Sequence, residues 1–143
     1  MKNTMKKALS LLLVMLITCA VLLSACQKAE PLVIKDSDTY IVIKTTGQET
    51  ADMTLMDYME ELKNKGELEF AVSDGMITSI NGIDNPADYS SCWMLYTSDE
   101  ENANKAWGTV EYDGNEYGSA ISGAETLKIK ADQLYIWVYK SFS

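Results

Sequence analysis

The stretch Leu134-Tyr135-Ile136-Trp137-Val138-Tyr139 decides the fold class. Its alternation has period two, which sends Leu134, Ile136 and Val138 to one face of a strand and Tyr135, Trp137 and Tyr139 to the other. The aliphatic face is the one expected against a helix. The aromatic face is then either a platform for a flat or sugar-like ligand or a second packing surface beneath a loop.

Outward from that strand the chain reads as more strands and one helix. Residues 127–130 form a short candidate strand, and residues 92–97, apolar on both faces, form a central one. Val110-Glu111-Tyr112 and Glu116-Tyr117 flank Asp113-Gly114-Asn115, a hairpin signal because the turn needs positive φ. Residues 68–72 and 76–80 pair around Ser73-Asp74-Gly75, and Asn81-Gly82 marks the next turn. Residues 40–46 are β-branched and end at Gly47, as a first strand does. Between them lies the helix: Thr54 is its N-cap, Asp57 completes a capping box, Met53 and Tyr58 form a hydrophobic staple, and Gly66 stops it. Leu55, Met59 and Leu62 make its buried stripe. The sum is an α+β fold, one main helix packed on a mostly antiparallel sheet with an inserted β-hairpin.

At the N-terminus Lys2, Lys6 and Lys7 precede an apolar run over residues 8–23. Charge followed by apolarity in this order reads as a signal peptide, and the run falls short of the roughly 20 residues of a spanning helix. Leu23-Ser24-Ala25-Cys26 closes it and resembles the lipobox of bacterial lipoproteins. That resemblance implies removal of residues 1–25, lipidation of Cys26, and a chain held by its lipid on the extracytoplasmic face of the cell membrane. Acyl chains contribute about 0.8 kcal/mol per buried methylene, so two or three suffice without a spanning helix. Residues 26–38 then read as the lipidated cysteine and a tether, and residues 39–143 as one domain.

Loss of Cys19 with the leader and lipidation of Cys26 leave Cys92 as the remaining thiol, so stability is expected to come from the core without a disulfide. Cys92 beside Trp93 reads as a small buried apolar residue. The formal net charge is -9, and the lysines of the leader are lost while every acid stays. Nucleic acid and anionic headgroups are therefore poor partners. The twelve basic residues are all lysine and there is no histidine, which removes imidazole bases, histidine metal ligands and guanidinium clamps. Asp36 with Asp38, Asp84 with Asp88, and Asp99-Glu100-Glu101 do not complete the spacing of a calcium loop. With no nucleophile elbow, Cys-x-x-Cys or phosphate loop, the expectation is a protein without catalytic residues, metal or cofactor.

Aromatic placement is the feature that stands out. The chain has three tryptophans and eight tyrosines, most of them after residue 88. Trp107 sits in Asn102-Ala103-Asn104-Lys105-Ala106-Trp107-Gly108, a polar stretch with no need of an indole. It is either part of a recognition patch or a loop pinned to the core.

Several segments together resemble the bacterial surface domains, of unassigned function, that are similar to the C-terminal domain of transcobalamin and intrinsic factor. They are residues 54–59 opening the helix, residues 75–82 across a strand and turn, Trp93-Met94-Leu95-Tyr96, and Ile136-Trp137-Val138-Tyr139. The resemblance implies a β-grasp-like fold on lipoproteins of Gram-positive bacteria, and in the vertebrate relatives one half of a cobalamin clamp. Residues 97–126 replace the short Asn-Gly turn of the family with an insertion carrying Trp107 and its own hairpin. The leading expectation is a non-enzymatic ligand-binding module with Trp93, Tyr96, Trp107, Tyr112 and Tyr117 as its patch and Asn81 and Gly82 in the turn beside it. A corrinoid, another flat molecule or a glycan would be its ligand. The alternative is a structural or protein-interaction module of the cell envelope whose aromatics are core, with Trp107 buried.

Overall fold

Thr54 begins the one α-helix among the described residues, α1 (Leu55–Asn64), with both halves of the capping box formed. The Thr54 Oγ1 accepts from the Asp57 N–H at 3.2 Å, and the Asp57 carboxylate accepts from the Thr54 N–H at 3.0 Å. Two further N–H groups of the first turn, which no helical carbonyl can reach, donate to Leu127 and Ala124 carbonyls. At the other end Gly66, at φ +74, lets the Gly66 N–H reach the Lys63 carbonyl and the Glu67 N–H the Leu62 carbonyl, a Schellman closure. Leu55, Tyr58, Met59 and Leu62 are buried on one face.

In the computed structural model the described residues are 30–49 and 52–142. The expected signal peptide, the lipidated Cys26 and the first part of the tether lie outside them. Two compact units divide the chain at residue 31, and the second carries the fold described below. No helix among the described residues is long and apolar enough to cross a membrane.

Among the described residues nine strands make two antiparallel sheets: β1 (Val33–Ser37), β2 (Tyr40–Lys44), β3 (Phe70–Ser73), β4 (Met76–Ile80), β5 (Ile83–Asp84), β6 (Ser91–Thr97), β7 (Ala103–Tyr112), β8 (Asn115–Ala120) and β9 (Leu134–Ser141). The larger sheet has the order β1-β2-β9-β6-β8-β7 and the smaller one β3-β4-β5. The architecture is α+β and dominated by sheet. The hairpin β7–β8, closed by Asp113 and Gly114 at φ +50 and +75, forms one edge of the larger sheet.

Three expectations need correction. Residues 33–37, read as tether, form an edge strand of the sheet, paired with β2 from Val33↔Ile43 to Ser37↔Tyr40. The domain therefore begins near Leu32. Residues 127–130 contribute only an isolated bridge, Thr54↔Lys128. The faces of β9 are also the reverse of expectation. Tyr135 and Trp137 lie in the core shared with α1, with Tyr139 packed against it, whereas Ile136 lies in a second core with Val42 and Tyr96.

The reversal has a physical cause. The larger sheet curls until its β7 edge returns to β2, where the Tyr40 hydroxyl donates to the Glu111 carbonyl at 2.8 Å and the Tyr40 and Tyr112 rings stack at 6.3 Å. Tyr40, Tyr96, Tyr112 and Tyr117 already fill the inside of the curl, which leaves room there only for the aliphatic side chains of β9, Ile136 and Val138. On the helix side the polar tips of the β9 tyrosines tie down loops: Tyr135 Oη accepts from the Lys130 N–H, and Tyr139 Oη donates to the Asp84 carbonyl.

Candidate functional site

Strand β6 pairs with β9 along its whole length but meets β8 only at Tyr96 and Thr97. The other side of residues 91–95 has no strand beside it among the described residues. Beyond Ala120 the chain leaves the sheet: the Ile121 N–H donates to the Asn102 carbonyl, and the Ala124 carbonyl accepts from the helix at Met56. The gap between this departing segment, the exposed side of β6 and the start of β4 is a cleft of about 400 Å³.

Asn85 closes one part of it. Its N–H donates to the Thr78 carbonyl at 2.8 Å, its Nδ2 donates to the Ile77 carbonyl at 3.0 Å, and its Oδ1 accepts the Trp93 N–H at 3.0 Å. The Trp93 indole Nε1 donates to the Ile83 carbonyl at 2.8 Å. Together these bonds fasten the small sheet to the larger one.

Two features distinguish the cleft from ordinary surface. Met76, Tyr89 and Ile121, exposed by 54%, 56% and 46%, all line it. They are half of the large apolar side chains left exposed among the described residues, and such clustering marks interaction surface. The wall also contains Trp137, only 4% exposed, whose Nε1 has no hydrogen-bond partner among the described residues. An unmet buried donor costs about 1–3 kcal/mol, so it calls for an acceptor. Tyr89 adds a third observation, because it stands at φ +52. The Pro86 carbonyl accepts its N–H and the Asp88 carboxylate accepts the Ser90 N–H. A left-handed backbone on a tyrosine costs on the order of 1 kcal/mol, and such strain gathers at functional sites.

Comparison with family models, with curated proteins and with solved structures finds no match to this chain.

The five residues expected to form one patch, and the two in the turn expected beside it, are distributed over four places. Tyr96, Tyr112 and Tyr117 share the face inside the curl. Trp93 is on the opposite face, in the helix-side core, and is the one of the seven that lines the cleft. Asn81 and Gly82 make the β4–β5 turn, where the Asn81 Oδ1 accepts from the Glu69 N–H. Trp107 lies in residues 105–108, an excursion between the Asn104↔Ser119 and Thr109↔Gly118 pairs, and is 64% exposed. It is thus neither core nor neighbour of the cleft lining. The cleft residues missed by sequence reasoning are Met76, Asn85, Tyr89 and Ile121, drawn from separate segments. The signal nearest to them was the aromatic face of residues 134–139.

The lining of the cleft carries no carboxylate or lysine. Cys92 donates its thiol to the Met94 Sδ at 3.6 Å, and burial pushes the thiol pKa up, away from thiolate chemistry. The acids nearest to a calcium-like cluster are engaged elsewhere: Lys130 Nζ lies 2.9 Å from Asp99 and 2.5 Å from Glu101.

Proposed function

We propose that this chain is a membrane-tethered, extracytoplasmic binding module without catalytic activity, and that its ligand enters the cleft beside β6. The observation that carries the reading is the clustering of three exposed apolar side chains, Met76, Tyr89 and Ile121, on one cleft whose wall includes Trp93 and Trp137. A volume near 400 Å³ belongs to the range of small-molecule pockets. It suits a compact ligand better than a corrinoid, whose macrocycle would rest on the rim instead of entering. Support for the tether is the lipobox-like Leu23-Ser24-Ala25-Cys26, and support for a β-grasp-like arrangement is one helix packed across an antiparallel sheet. The test is mutational. Met76→Lys and Ile121→Lys alter exposed positions and spare the fold; they should abolish binding of any small ligand that the parent chain retains, and retention of binding in both would overturn the assignment.

A second reading is favoured by one observation, the exposed Trp107 on the edge strand β7. It makes that edge a contact for another envelope protein. Trp107→Ala would then weaken co-purification with that protein while leaving the cleft's ligand bound.

A further inference from the structure

The charge around the cleft narrows the class of ligand, taking the cleft as the binding site. Asp74 precedes the lining residue Gly75, and a Glu125 carboxylate oxygen occupies the place that a Cβ on Gly75 would take. Asp84 precedes Asn85, and Asp88 precedes Tyr89. No lysine is adjacent in sequence to any lining residue; across the β6–β9 pair Lys140 stands opposite the lining residue Cys92, with its ammonium held over the Tyr96 ring. None of these four acids is ion-paired among the described residues. Several of the lysines are committed elsewhere, Lys35 to Asp38, Lys128 to Asp52, Lys130 to Asp99 and Glu101, and Lys140 over the Tyr96 ring.

An uncharged lining with negative flanks attracts cations and repels anions. The lining itself includes Tyr89, Trp93 and Trp137, and aromatic walls are the surface on which quaternary ammonium groups are held. We infer that the cleft takes a compact organic cation, an ammonium with apolar substituents.

The experiment uses the full chain, labelled with ¹⁵N, in lipid nanodiscs. It is titrated with choline, with its neutral isostere 3,3-dimethylbutan-1-ol, and with the anion 3,3-dimethylbutanoate, while the three indole N–H resonances are followed. Choline should shift Trp137 and Trp93 and leave Trp107 unmoved, with the alcohol bound at least about tenfold more weakly and the anion not at all. The amide variant D74N/D84N/D88N/E125Q, which keeps every side-chain shape, should lose about tenfold in choline affinity with no change for the alcohol. Equal binding of choline and the alcohol would overturn the cation inference and leave the cleft as a neutral-ligand site. No shift at Trp137 or Trp93 with any of the three, even at high concentration, would overturn both.

Discussion

The Asn85 side chain and the Trp93 backbone are joined by a single hydrogen bond, Trp93 N–H to Asn85 Oδ1 at 3.0 Å, made on the side of β6 that no strand covers. It satisfies an edge donor with a side chain. A second strand is thereby kept from adding at that point, and the space beyond it stays open as the cleft.

Asn85→Ala removes this acceptor together with the donor to Ile77. The expected loss is about 2 kcal/mol of stability, measured by urea unfolding, with the amide of Trp93 exchanging faster than its neighbours in β6. Unchanged exchange at Trp93 would contradict the role assigned to Asn85.

Tyr89→Gly separates strain from binding. Glycine accepts φ +52 without penalty, so the folded state should be as stable as the parent or up to about 1 kcal/mol more stable. Ligand affinity should fall because the exposed ring is gone. A variant that unfolds more easily would show that Tyr89 serves packing instead.

Asp99 makes stability depend on acid. Burial pushes its carboxyl up, but hydrogen bonds from Lys130 and Asn102 outweigh this and hold it below the ordinary value of 3.8. A carboxyl depressed in the fold contributes stability above its unfolded pKa, and that contribution disappears as pH falls through the folded value. Melting temperature should therefore drop on acidification below about pH 4, and Asp99→Asn should flatten that part of the profile while lowering stability at neutral pH.

Tyr40 reports on closure of the curl. Burial foremost, then the acidic and tyrosine neighbours, push its phenol up to about 12. Since the unfolded chain ionises more readily, this group contributes stability that is lost as pH rises above about 10. Tyr40→Phe removes the bond to the Glu111 carbonyl and should cost about 1 kcal/mol, with faster amide exchange at the end of β7.

Much of this fold was legible where the determinants are local. Thr54, Asp57 and Gly66 mark α1 because caps act within a few residues, and Asp113-Gly114 marks its hairpin because the turn itself requires left-handed backbone. Strand β1 was not legible: Val33–Ser37 is short and half exposed, and only pairing with β2 makes it a strand. The faces of β9 depended on the curl, a property of all six strands together. The cleft residues come from β4, the loop after β5, β6, β9 and the segment after β8, so no single window of sequence contained the site. Of the expected patch only Trp93 lines the cleft; Trp107 stood out in sequence because its surroundings are polar, and it lies outside the lining.

The most direct test of the cleft as binding site is a fragment titration of the ¹⁵N-labelled chain read at the Trp137 indole N–H. The account predicts that bound fragments move Trp137 first, together with the amides of Asn85, Tyr89 and Ile121, and that Trp107 does not respond. Fragments that move Trp107 and β7 while Trp137 stays fixed would contradict it.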